Sequence, residues 1–178
     1  MIRFTIPLLL IAAVSSPAQS ITAVTTCDSI DKVDFMNSEL NFESSSMRFR
    51  DGRACTSDGA DPAACDWEHT VTLDKVLAPE PGLAVRLIII NSSHQTGSGM
   101  WGHVLLFECK GGKVTSPFNQ SYLQGVKVEN LGDKEVTLLS GEWLKSDPEC
   151  CPSRQKREVL RWDRKKGGFT LSERTVHR

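Results

Sequence analysis

Two adjacent cysteines between prolines, in Asp147-Pro148-Glu149-Cys150-Cys151-Pro152-Ser153, constrain this chain more than any other stretch. Adjacent cysteines seldom bond to each other, because the small ring forces the peptide between them away from planar trans. Each therefore reaches for a distant partner, and the turn becomes a point where other segments are tied down. The prolines fix the backbone around it and remove amide donors that a ladder would use. We read it as a covalent clasp, followed by the strand-like run Glu158-Val159-Leu160-Arg161-Trp162.

Four further cysteines, Cys27, Cys55, Cys65 and Cys109, bring the total to six. They follow a leader: Met1-Ile2-Arg3 is a short basic start, Ile6 to Val14 is apolar, and Ser15 to Ser20 supplies small residues. That pattern predicts a signal peptide over residues 1–20, cut after Ala18 or Ser20, and one exported domain over residues 21–178. The apolar run is too short to span a bilayer, and no transmembrane helix is expected in the mature chain. Lipid anchoring is not expected either, because Val24-Thr25-Thr26 before Cys27 lacks the Gly or Ala that lipoprotein processing favours. An even cysteine count behind an export signal argues for up to three disulfides in the periplasm or outside the cell. No two cysteines stand at Cys-x-x-Cys spacing, so zinc is the weaker reading. Cys55 and Cys65 enclose a loop of turn formers, and proximity makes them the first pair to propose.

Leu83 to Ile90 and Val104 to Phe107 are near-continuous apolar runs, as expected of central strands covered on both faces. Between them lies Asn91 to Gly99, read as a long flexible tip. Met47-Arg48-Phe49-Arg50, Thr70-Val71-Thr72-Leu73, and the stretches around Val126, Val136 and Val159 alternate as half-exposed strands. Turns fall at Asp51-Gly52, Pro79 to Gly82, Gly111-Gly112, Asn130 to Asp133 and Lys165 to Gly168. No segment holds a helical period. The expected fold is mainly β, a single antiparallel domain braced by disulfides, with α+β as the alternative.

Charge is balanced overall at −1 but unevenly placed. Leu144 to Arg178 carries ten Lys or Arg against five Asp or Glu, and Ile21 to Trp143 carries ten against seventeen. Because the basic residues alternate with core-type residues, we expect them to pair with acidic strands of the same domain. An envelope protein or an anionic envelope polymer is the partner class considered for this face; nucleic acid is not expected.

The C-terminal third resembles a group of exported bacterial proteins, the LppP/LprE-type lipoproteins and related secreted proteins of unassigned function. Trp143, Asp147-Pro148, Cys150-Cys151-Pro152-Ser153 and Arg161-Trp162 carry the likeness, with Phe107-Glu108-Cys109 ahead of Gly111-Gly112 resembling the strand before that module. The resemblance implies export, and it implies that Cys109 is tied to Cys150 or Cys151, with Cys27 taking the one left. It brings no catalytic residues.

His69, His94, His103 and His177 do not match a compact ligand set, and no nucleophile elbow or phosphate loop is present. His94 and His103 bracket the Asn91 to Gly99 loop, where they would have to meet across a hairpin to act together. Trp143 and Trp162 flank the double-cysteine turn and are expected to pack on its sulfur. Trp101, beside glycines at the loop base, is the aromatic suited to contact a partner. The leading expectation is a non-enzymatic interaction module that needs no cofactor, catalytic residue or metal. Its surface comprises His94, Gln95, Met100, Trp101 and His103 together with Arg154, Lys156 and Arg157. A hydrolase acting on envelope glycan or peptide and a small-ligand binder are the alternatives.

Overall fold

The computed structural model describes residues 27–177, except 43, 44, 60, 62, 98, 149 and 150. The expected signal peptide and Cys150 lie outside the described residues. Among the described residues eleven strands run in chain order: β1 (Glu39–Phe42), β2 (Ser45–Arg48), β3 (Arg53–Thr56), β4 (Trp67–Glu80), β5 (Leu83–His94), β6 (Met100–Lys110), β7 (Lys113–Leu123), β8 (Val126–Leu131), β9 (Glu135–Glu142), β10 (Arg154–Asp163) and β11 (Gly168–His177). Helical structure among the described residues is confined to two 3-10 turns, Ile30–Lys32 and Phe35–Asn37. The fold is therefore mainly β and antiparallel, as the alternation predicts, and the α+β alternative falls away.

Strands β3 to β7 form one meander, β8 to β11 a second, and β1 pairs with β2. Every pairing joins strands adjacent in the chain, which suits short turn-rich connections. In β5 and β6 the two-residue period sends side chains alternately to two cores. Leu87, Ile89, Val104 and Leu106 face the second sheet, meeting Val136, Leu138, Leu160 and Phe169. Ile88, Ile90, Leu105 and Phe107 face the N-terminal segment and meet Ile30, Phe35, Leu40, Met47 and Phe49. The central sheet is thus covered on both faces, which is why its two middle strands read as unbroken apolar runs.

The N-terminal layer is irregular and is held by point contacts. Cys27 and Cys109 lie at disulfide distance, Cα to Cα 5.9 Å, and the Cys27 amide donates to the Gly112 carbonyl at 3.0 Å. Phe35 stacks on Phe107 with centroids 4.5 Å apart. The Arg86 guanidinium lies 5.6 Å from the Phe35 ring centroid, donates to Asp74 and reaches the Asp31 carbonyl at 2.9 Å.

This bridge corrects the expected partner of Cys109. Pro152, beside the double-cysteine turn, lines a groove with Met100 at the start of β6, whereas Cys109 lies at the far end of that strand. Nine residues of extended chain separate them by about 30 Å, far beyond the Cα spacing of about 6 Å that a disulfide spans. Cys27, brought to the far end by the N-terminal layer, is within reach. Cys55 and Cys65 pair as expected, Cα to Cα 5.2 Å. Cys151 is exposed.

The turn from Leu144 to Ser153 is organised by a carboxylate. Asp147 accepts from the amides of Leu144 at 2.8 Å and Ser153 at 2.9 Å, and these donors hold its carboxyl below the usual range. The Trp143 indole donates to the Pro148 carbonyl at 3.0 Å. Trp162 packs edge-on against Phe169 and donates to Glu80, so its indole is engaged there rather than on the turn's sulfur.

Candidate functional site

The chain leaves the first sheet for the second through Gln124-Gly125, and neighbouring strands pin that crossover. Asn91 on β5 accepts from the Val126 amide at 3.1 Å, and the Met100 carbonyl on β6 accepts from the Gln124 amide at 2.6 Å. At Gly102 a Cβ would stand 2.7 Å from the Val126 amide nitrogen, so only glycine lets the backbones approach this closely. Gln124 itself holds a left-handed φ of 63°, an uncommon conformation for a residue with a side chain.

On the face of β6 directed toward the N-terminal layer, Trp101 lies opposite Ser92 on one side and Leu123 on the other. The layer covers Leu105 and Phe107 farther along the strand, while Trp101 is 40% and Leu123 41% exposed. The next rung carries His103, whose Nδ1 lies 3.1 Å from Ser121 Oγ. His103 sits opposite Ile90 and His94 opposite Trp67, so the two histidines do not meet across the hairpin. His69, opposite Ser92 on the rung of Trp101, is buried between Ser92 Oγ at 2.7 Å and Thr56 Oγ1 at 2.8 Å. Burial, helped by the charge of His103, lowers its pKa to about 4.

The Asn91 to Gly99 segment is less of a loop than its composition predicts. Strand β5 continues through His94, and the ladder to β6 runs up to Ser93 opposite Met100. The 55–65 disulfide loop braces the hairpin tip. Asp58 accepts from the Trp67 indole at 2.9 Å and lies 3.4 Å from His94 Nε2, and the Gln95 amide donates to the Asp66 carbonyl at 2.9 Å. Trp67 and His94 meet edge-on at 4.9 Å. His94 and Gln95 therefore serve the brace, while Met100 and Trp101 stand exposed on opposite faces of one strand.

The expected basic surface divides in two. Lys156 is buried between the sheets, 3.3 Å from Glu158 and 4.8 Å from the Tyr122 ring centroid. Burial first, then the Glu158 carboxylate, push the Tyr122 phenol well above its ordinary range. Arg157 pairs with Glu129 at 2.6 Å, Arg161 with Glu135 at 2.7 Å, Arg164 with Glu80 at 3.3 Å, and Arg174 with Glu158 at 3.5 Å. The cationic hairpin is largely neutralised by acids of its own domain.

Arg154 is different. It lines a groove of about 250 Å³ at the junction of the sheets, with Met100, Gln124, Lys127, Ser140 and Gln155 among its neighbours. Sequence reasoning names Arg154 and Met100 but misses the rest of this lining. Gln124, Lys127, Ser140 and Gln155 come from the crossover and three strands; the one local signal is glycine at 125 just before a β-branched strand start.

Among the described residues, no group of three His, Cys, Asp or Glu side chains is placed to hold a metal ion, and no helix is long and apolar enough to cross a membrane. No protein-family model, curated protein or solved structure matches this chain.

Proposed function

We propose that this chain is an exported, non-enzymatic interaction module of the envelope or the extracellular space, in keeping with the exported bacterial group its C-terminal third resembles. The observation that carries this reading is the cross-strand pair Trp101–Leu123, two large apolar side chains exposed at the end of a braced sheet. Aromatic residues on a rigid scaffold supply contact area at small entropic cost, and they recur at the centres of binding surfaces. Two cysteine pairs at disulfide distance suit an oxidising compartment.

The test is site-specific photocrosslinking from position 123 in the native envelope, with position 171, another exposed leucine, as control. A discrete adduct from position 123, lost in Trp101→Ala and missing from position 171, supports the reading. Equal adducts from both positions, or none from position 123, overturn it. The groove beside Arg154 favours a second reading, recognition of a small ligand, because concave sites with a few convergent polar groups are where such ligands bind.

A further inference from the structure

We propose that the exposed end of the first sheet binds one residue of an uncharged glycan, its C–H face stacked on Trp101 and Leu123 and its hydroxyls meeting His103 and Ser121. This glycan site rests on the interaction reading above and names the partner of that same surface. It is separate from the groove beside Arg154, because Met100, which lines that groove, and Trp101 point to opposite faces of β6.

Register builds the platform. Ala54, His69, Ser92, Trp101 and Leu123 form one rung across five strands, and His103 and Ser121 form the outer half of the next. Trp101 and Leu123 are exposed, whereas Ala54, His69 and Ser92 beside them are buried. His69 links Thr56 Oγ1 to Ser92 Oγ, which ties three strands together next to the indole. A platform ordered before binding loses little freedom when a ligand arrives.

Charge and size select the ligand. Neither rung carries Lys, Arg, Asp or Glu, so the platform holds no cation of its own for an anionic polymer. Trp101 and Leu123 make an apolar strip of two side chains, far short of the roughly 800 Å² that each partner buries in a stable protein interface. A sugar ring needs less. Its C–H bonds are slightly positive and suit the negative face of an indole, while its rim of hydroxyls needs donors and acceptors. His103 Nδ1 and Ser121 Oγ lie 3.1 Å apart on the next rung. A hydroxyl has one donor and two acceptor positions, so one imidazole contact does not exhaust Ser121. Neighbouring strands stand about 4.8 Å apart, and successive rungs on one face about 6.7 Å apart. The four side chains thus frame a patch about the size of one sugar ring. Strand β7 is the sheet edge, so a longer chain can run on past Leu123.

The experiment is an NMR titration of the mature, oxidised protein, resolving amides and indoles, with triacetylchitotriose, cellotriose, maltotriose and, as the charged counterpart, trigalacturonate. Saturable shifts of the Trp101 indole and of the Ser121 and Leu123 amides with at least one neutral trisaccharide, and none with trigalacturonate, support the site. Trp101→Ala should weaken that binding about tenfold or more, Trp101→Phe should retain part of it, and Leu171→Ala, at an exposed leucine on the second sheet, should leave it unchanged. Equal or tighter binding of trigalacturonate, no saturable shift with any neutral sugar, or full binding by a folded Trp101→Ala variant would overturn the proposal. A protein adduct from position 123 in the photocrosslinking above, with no shift from any sugar, overturns the glycan alone and leaves the interaction module standing; no adduct and no shift removes both.

Discussion

The two faces of the central sheet are covered in opposite ways. On one, a second antiparallel sheet repeats the regular spacing of the first, and rows of Leu, Ile and Val interlock along its length. On the other, a short segment with two 3-10 turns and a hairpin of two four-residue strands is laid over Ile88, Ile90, Leu105 and Phe107. A ladder shares its stabilisation among many bonds, whereas an irregular layer depends on a few. Here those few are the Cys27–Cys109 bridge, the Phe35–Phe107 stack and the Arg86–Asp74 clamp. Sulfur is spent where regular pairing is lacking.

Removing the bridge should have the largest effect. A cross-link over 82 residues contributes roughly 4 kcal/mol through the unfolded chain. Cys27→Ser with Cys109→Ser should lose about that much by urea titration, with hydrogen exchange rising first in Ile30 to Phe49 and least in β8 to β11. Equal deprotection of both faces would erase the contrast.

Arg86→Met comes next. It leaves the Asp74 carboxylate, whose side chain is 12% exposed, without its partner, and a broken buried pair costs about 3 kcal/mol. The loss should again concentrate in the N-terminal layer, and it should shrink in Arg86→Met with Asp74→Leu.

His69 makes this face sensitive to acid. Its folded pKa, about 4, lies below the ordinary 6.5, so the unfolded chain takes up the proton first. Its contribution is complete above pH 6.5 and is lost as pH falls toward 4, by roughly 2–3 kcal/mol. Urea titrations at pH 7.5 and 4.5 should show that loss in the native protein and a smaller one in His69→Gln.

Gly102→Ala sharpens the comparison from the other side. Its Cβ would strike the Val126 amide nitrogen and the Gly125 carbonyl carbon, and such overpacking costs about 2 kcal/mol. Exchange should then rise first in β8 and β9, with Ile30 to Phe49 spared.

The contrast also explains what can be read from residues alone. Leu83 to Ile90 and Val104 to Phe107 announce two buried strands because alternation and burial are local properties. Strand β7 escapes notice because Pro117 and its polar neighbours argue against a ladder, yet β7 is an edge, where proline is tolerated. The partner of Cys109 is illegible for another reason. Which cysteine reaches it depends on where an irregular layer is laid down, and no period encodes that. The groove is hidden likewise, since Asn91, Gln124, Ser140 and Arg154 meet only after the two meanders dock. Trp101 is legible as an exposed aromatic beside glycines, but its neighbour Leu123 is not.

Non-reducing peptide mapping by mass spectrometry tests most directly whether the N-terminal layer is bolted to the central sheet. A peptide joining Cys27 to Cys109, beside one joining Cys55 to Cys65, is the predicted result. A peptide joining Cys109 to Cys150 or Cys151 would contradict it.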